Sequence, residues 1–272
     1  MIEDIEGGAV SDVKRVPAGV DPSKPNSARV YNYLLGGKDN YEVDQMLAHR
    51  MLQIAPDTKT LAWLVRKFML QGAQIAAEAG VRQFIDIGAG IPASPSLHET
   101  VQQIDASSKV VAVDYDAVVF AHNNALLARL PGVTPMLADV RRPDDIIERV
   151  QAEAQIDFSQ PVAIVLVGVL HYIMDDERPA EIIARFHEKL APGSYFIFTH
   201  GSDESDPDFI AQSTAQAAGS TAQVLFRSRA EVAKYFDSFE MLEPGLVPVQ
   251  QWLDGDTPKT GLVLIGGVGR KN

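Results

Sequence analysis

From residue 82 onward, short apolar runs alternate with helical segments, and this alternation limits the chain to a few architectures. The runs are RQFIDI, KVVAVD, VTPMLAD, PVAIVLVGV and SYFIFTH. Helices are expected between them, starting near Ser94, Asp116, Pro143 and Glu177. Repeated strand–helix units build a parallel sheet with helices on both faces. Uninterrupted apolar strands such as AIVLV suit burial on both sides. Two further strands, MLEPGLVPV and GLVLIGGVG, flank the turn-forming Asp254-Gly255-Asp256-Thr257-Pro258 and are expected to pair as an antiparallel hairpin. The expected fold class is α/β: a doubly wound, Rossmann-like, seven-stranded and mostly parallel sheet with an antiparallel last strand.

The residues before 82 have a different grammar. Residues 1–26 carry Pro17, Pro22 and Pro25 and no apolar period, which predicts a flexible arm. Residues 27–80 read as a helical cap of three helices: Ser27 to Leu35 with Ser27 as N-cap, Tyr41 to Ile54, and a long one capped by Asp57 or Thr58. Leu61, Leu64, Val65, Phe68, Gly72, Ile75, Ala76 and Ala79 give the long helix its apolar face, and Gly80 stands where a terminating glycine belongs. Residues 81–272 form the main domain. An insertion at about 203–227 reads as a helical lid with flexible flanks, followed by the capping box Ser228-Arg-Ala-Glu231.

Ligands of such sheets bind beyond the carboxyl ends of the strands, where the strand order reverses. The first strand runs into Gly88-Ala89-Gly90-Ile91-Pro92-Ala93, which satisfies the dinucleotide fingerprint GxGxx(G/A). The second ends at Asp114, an acid able to accept both ribose hydroxyls. A nicotinamide-dependent oxidoreductase fits this far. Asp86 argues against it, because a carboxylate at the strand tip repels a pyrophosphate and attracts an ammonium or sulfonium group. Pro92 and Pro95 also interrupt the loop-to-helix junction that binds pyrophosphate. The third strand ends Leu137-Ala138-Asp139, where an acid can accept from an adenine amino group. Three strand-end acids around a glycine loop suit S-adenosylmethionine, which has two cations and no phosphate.

This pattern resembles the class I S-adenosylmethionine-dependent methyltransferases. More closely, it resembles a group of actinobacterial S-adenosyl methyltransferase proteins once grouped as a domain of unknown function. The stretches SARVYNYLLGGKDNY, GVRQFIDIGAGIP, VVAVDYD, DFSQPVAIVLVGVLHYI and LAPGSYFIFTH carry the likeness over roughly residues 23 to 268. It departs from the group at Ala117, where a Pro is usual, and at Val65, where an Asn is usual; the neighbouring Arg is retained as Arg66. The resemblance implies methyl transfer to a small-molecule acceptor. It implies cofactor contacts from Asp86, Gly88, Ala89, Gly90, Asp114 and Tyr115, from Ala138, Asp139, Val140 and Gly168, and from Arg66. A non-catalytic S-adenosylmethionine-binding protein remains compatible with the residues, since this chemistry needs few obligatory side chains.

YNYLLGGKDNY superficially offers a phosphate grip. Asn32 stands where a Walker A loop needs its first Gly, and Asp39 where it needs Ser or Thr. Two readings stay open. Gly36 and Gly37 can simply supply a turn, with Asn40 capping the next helix. Alternatively the unit closes over the cofactor, so that Tyr33, Gly36, Gly37, Lys38 and Tyr41 line the pocket. His171 follows the fourth strand, beside the methyl end in this fold, and is the candidate general base; His200 ends the fifth.

With 24 basic and 36 acidic side chains, the net charge of -12 disfavours a nucleic-acid partner or an anionic membrane surface. There is no Cys, which fits a reducing compartment. The opening MIEDIEGGAV has no apolar stretch and predicts no signal peptide. The longest apolar run is too short to span a bilayer. No His/Asp/Glu spacing suggests a metal. A cytoplasmic location is expected; nothing in the sequence speaks to oligomeric state.

Overall fold

The computed structural model describes residues 23–217 and 224–272. Most of the expected arm, residues 1–22, and residues 218–223 of the expected lid lie outside them. Three helices come first: α1 (Ser27–Leu34), α2 (Glu42–Ile54) and α3 (Thr58–Glu78). The sheet then alternates with helices: β1 (Gln83–Ile87), α4 (Leu97–Ile104), β2 (Lys109–Asp114), α5 (Ala117–Leu127), β3 (Val133–Leu137), α6 (Pro143–Ala154), β4 (Ala163–Leu166), α7 (Pro179–Lys189) and β5 (Tyr195–Gly201). The remaining elements are α8 (Pro207–Ala217), α9 (Arg229–Lys234), β6 (Glu240–Met241), β7 (Val247–Pro248) and β8 (Leu264–Arg270).

The strand order is β3-β2-β1-β4-β5-β8-β6, with β7 also paired to β8. β1 to β5 are parallel, and β8 runs antiparallel to β5. The order reverses between β1 and β4, which places a crevice at their carboxyl ends. The expected strand MLEPGLVPV is split into β6 and β7, because Pro244 lacks a donor for the ladder and Gly245 turns the chain at φ +89°. Both pieces still pair antiparallel with β8, but residues 249–263 connect them to it in place of a tight hairpin turn.

Strand side chains alternate between two cores. Ile85, Ile87, Val111, Val113, Ile164 and Leu166 pack under α6, α7 and α9. Phe84, Val110, Ala163, Val165 and Ile197 pack under α3 and α4. Gly72 lets α3 approach β5, since a Cβ there would stand 2.8 Å from the Cγ2 of Ile197. Gly266 and Gly267 leave room on β8 for Phe68 and Phe198.

Two helix starts differ from expectation. α4 begins at Leu97, not near Ser94, because the residue before Pro95 is biased to extended backbone and Ser96 forms a capping box with Glu99. α7 begins at Pro179, because Glu177 closes a 3-10 turn and Arg178 adopts φ +55°. The α1 N-cap is Asn26, one residue before the expected Ser27.

Within the helical unit, Arg29 and Asp44 form an ion pair of 2.7 Å with side chains 2% and 0% exposed. Asp44 also accepts the backbone N–H of Asn26 at 2.9 Å and of Tyr41 at 2.8 Å. Arg29 lies 4.9 Å over the ring of Tyr41. Removing one partner of so buried a pair strands the other charge. Asp44→Ala is expected to lower stability by about 3–5 kcal/mol in urea titrations; a loss below about 1 kcal/mol would show that the pair does not anchor the unit.

Candidate active site

The first three strand ends lie side by side, with Asp86 opposite Ala112 and Asp114 opposite Leu137. Beyond β1 the chain turns back over β2: Gly88 and Ala89 both donate to the carbonyl of Val113, at 2.8 and 3.0 Å. Gly88 has φ +76°, and a Cβ there would overlap Val169 from the loop after β4. Glycine is thus what allows the two crevice loops to meet. Gly90 and Gly168, both at positive φ, face open space. Gly168 donates to the hydroxyl of Thr199 at 2.9 Å.

Asp114 is 6% exposed. Its Oδ2 accepts from Gly90 N–H and its Oδ1 from Asp116 N–H, each at 3.0 Å. Burial raises its pKa, partly offset by these bonds. Asp86 is half-buried and takes no hydrogen bond from the described residues. Burial pushes its carboxyl up to about 7, against the pull of Arg66 and with the push of Asp114.

Arg66 staples α3 to the loop after Gly90. Its Nη2 donates to the carbonyls of Ala93 and Pro95, the latter at 2.6 Å. Burial lowers its pKa, while Tyr31, Asp86 and Glu99 work to raise it. A cavity beneath the glycine loop joins Arg66, Asp86 and Gly90 to Asn123. Along it, Nε of Arg66 and both amide atoms of Asn123 are buried without a partner among the described residues.

Asp139 is already engaged. It accepts from the Nη2 of Arg141 at 2.6 Å, from its Nε at 2.9 Å and from its backbone N–H at 3.0 Å. Burial opposes ionisation of Asp139, but these bonds outweigh it and hold its pKa below the ordinary value. Arg141 also donates to Glu177 at 2.9 Å and lies 5.8 Å over the ring of Tyr115, which is exposed. Ala138 donates to the carbonyl of Asp114 at 3.0 Å, and Val140 packs against the α6–α7 core.

The YNYLLGGKDNY stretch closes on itself. Gly36 takes φ +83° after α1, and a Cβ at Gly37 would overlap the side chain of Asn32. The Oδ1 of Asn32 accepts from Asp39 N–H and from Asn40 Nδ2, both at 3.0 Å. Asn40 therefore points into the loop, and Tyr41 is the N-cap of α2. Tyr33 shares a 2.8 Å hydrogen bond with His49, and Lys38 is exposed. Bonds from the helical region to the sheet edge include those of Asn26, which donates to Asp116, and of Arg66, while Asp57 accepts from Gly261 N–H ahead of β8.

At the ends of β4 and β5, His171 is 8% exposed and its Nδ1 has no partner among the described residues. Burial pushes its imidazole down to about 3, helped by His200 and Arg227. His200 stands 6.2 Å away, ring to ring. Its Nε2 lies 2.7 Å from the Nη1 of Arg227 and its Nδ1 lies 2.7 Å from the carbonyl of Gly201. Arginine only donates, so Nε2 accepts and Nδ1–H donates. Arg227 also holds Asp175 at 2.6 Å and the carbonyl of Ile173 at 3.0 Å.

Asn26, Asn123 and Arg227 are residues of the candidate site that sequence reasoning missed. An Asn before a helix start is an N-cap signal, but Ser27 next to it carries the same signal. Asn123 and Arg227 had no local signal.

The family described as S-adenosyl methyltransferase matches residues 13–272. A candidate methyltransferase from Thermobifida fusca YX is 37% identical, with a TM-score of 0.86, over 94% of this chain and 98% of that one. A DUF574 family protein from Streptomyces avermitilis MA-4680 is 33% identical, also with a TM-score of 0.86, over 93% and 99%. The N-methyltransferase NodS from Bradyrhizobium japonicum WM9, in complex with S-adenosyl-l-homocysteine, shares the fold at 14% identity and a TM-score of 0.50, over 89% and 98%. No curated protein sequence matches. The chain belongs to the S-adenosyl methyltransferase family and is an S-adenosylmethionine-dependent methyltransferase.

Proposed function

We propose that the crevice between β1 and β4 holds the cofactor with its methionine end toward Asp86 and its adenine toward β3. The observation that carries this reading is Asp86: a half-buried carboxylate without a hydrogen bond from the described residues, beside the buried Asp114. Such a pair tolerates a cationic ligand and opposes a pyrophosphate. Asp86 and Gly90 also line the cavity beneath the glycine loop, where the Nε of Arg66 and the amide of Asn123 have no partner among the described residues; this spare polar capacity next to the crevice supports the fit to the cofactor.

In this reading Asp86, Gly88, Ala89, Gly90 and Arg66 hold the methionine end, and Asp114 the ribose hydroxyls. Tyr115, Ala138, Asp139 and Val140 border the adenine. Gly168 lies beside the methyl group. Tyr33, Gly36, Gly37, Lys38 and Tyr41 form the covering unit, within a division into an arm (1–26), a cap (27–80) and a methyltransferase domain (81–272) with a lid at about 203–227.

When bound, the cofactor supplies a methyl group already activated by its sulfonium. The protein must align a nucleophile with it and exclude water. His171 has the position of a general base, but an imidazole pushed down to about 3 is a weak one. We assign it instead as a neutral ring that borders the acceptor. The acceptor is a small molecule, and proximity carries the transfer. No helix among the described residues is long and apolar enough to cross a membrane. A cytoplasmic location, an actinobacterial source and the absence of a nucleic-acid partner belong to the same reading, supported by the net charge of -12 and the relatives' sources.

Asp114→Ala should weaken binding of S-adenosylmethionine by about tenfold or more in calorimetric titrations; unchanged affinity would refute the ribose assignment. Asp86 gives a pH signature. Its carboxyl is raised from 3.8 to about 7, so the stability it gives the free fold is full below 3.8 and lost as pH rises through about 7. An ammonium bound beside it favours the ionised form. Affinity should therefore rise between about pH 6 and about pH 8, and Asp86→Asn should flatten that rise. The same rise in the variant would assign the titration to another group.

A further inference from the structure

Asp114 ends β2 and Asp116 follows it, and the second acid has partners on both sides. The Oδ1 of Asp116 accepts from Val118 N–H at 2.7 Å and so caps α5. Its own N–H donates to Asp114, at 3.0 Å. Its Oδ2 accepts from the side-chain amide of Asn26, the last residue before the helical unit and the N-cap of its first helix. The Oδ1 of Asn26 caps α1 by accepting from Arg29 N–H at 3.0 Å, and its backbone N–H donates to Asp44 at 2.9 Å. Asp44 in turn holds Arg29 and the N–H of Tyr41. One hydrogen-bonded path thus runs from the GGKDNY loop through Asp44, Asn26 and Asp116 to Asp114 and Gly90.

We propose that Asn26 is a positioning residue for cofactor binding: it docks the helical unit onto the turn after β2 and thereby fixes the direction in which Asp114 presents its carboxylate. The inference rests on Asp114 being the ribose acid. It gives the YNYLLGGKDNY stretch a second role, as a rigid platform for Asn26. The bond is charge-assisted and links segments far apart in the chain, so its loss leaves the turn to its local bonds, the α5 cap and the bond to Asp114. A carboxylate whose direction is no longer set costs affinity through lost preorganisation, even where the fold survives.

The test is titration of S-adenosylmethionine into a small set of variants. Asn26→Ser and Asp116→Ser keep N-capping side chains while removing the donor or the acceptor. Each should raise Kd by about threefold to tenfold, and the double variant should be no worse than the weaker single. Asn26→Asp alone sets two carboxylates together and should weaken binding further. Adding Asp116→Asn rebuilds the bond in reverse, since both residues still cap their helices, and should bring Kd back to within about twofold of the parent. A purely structural role would lower the thermal midpoint without moving the Kd of the folded protein. Unchanged Kd in Asn26→Ser, additive losses in the double variant, or failure of the reversed pair would each overturn the proposal, provided Asp114→Ala weakens binding. If Asp114→Ala itself has no effect, the ribose reading falls and takes this inference with it.

Discussion

A carboxylate buried at the end of a parallel strand must find donors, and the way Asp114 finds them organises the whole carboxyl edge. One oxygen takes Gly90 from the glycine loop and the other takes Asp116 from the turn beyond β2. The first bond sets the loop over β2, where Gly88 and Ala89 already share the carbonyl of Val113. The second ties the acid to the start of α5 and, through Asn26, to the helical unit. One donor on each oxygen holds the buried acid in place and leaves it acceptor capacity for a ligand. Among the described residues both donors come from backbone, and Gly90 and Gly168 face open space beside them.

The electrostatics of the crevice differ between its two ends. Around Asp86 burial disfavours the ionised carboxylate in the free protein, so a cation that favours that form is the natural complement. Around β4 and β5 it gathers rings that burial keeps neutral, with His200 tied to Arg227. This division suits a reaction in which positive charge arrives with the cofactor and leaves when the methyl group does. It asks little proton chemistry of the protein, in keeping with catalysis by alignment.

Much of this was legible in the sequence, for physical reasons. Strands buried on both faces read as unbroken apolar runs, and parallel connections leave helical periods between them, so β1 to β5 could be placed closely. Asp86, Asp114 and Asp139 were readable because they end such runs. The failures share a cause: competing local signals or purely tertiary contacts. Pro95 and Ser96 delayed α4, and Pro244 with Gly245 broke one expected strand into two. Asn40 looked like a cap but is drawn inward by Asn32. The pairing of Asp139 with Arg141 is local in sequence, but Glu177, which completes it, comes from another loop. Asn26 with Asp116 and Arg227 with His200 join distant segments, and no sequence pattern marks such pairs.

The most direct test of the central claim is calorimetric titration of the intact protein with S-adenosylmethionine, S-adenosylhomocysteine and NADH. The arrangement of Asp86, Asp114 and the glycine loop predicts binding of the first two with Kd of order micromolar and none of NADH. Binding of NADH with no binding of S-adenosylmethionine would contradict it, because a pyrophosphate would then be accepted beside the carboxylate of Asp86.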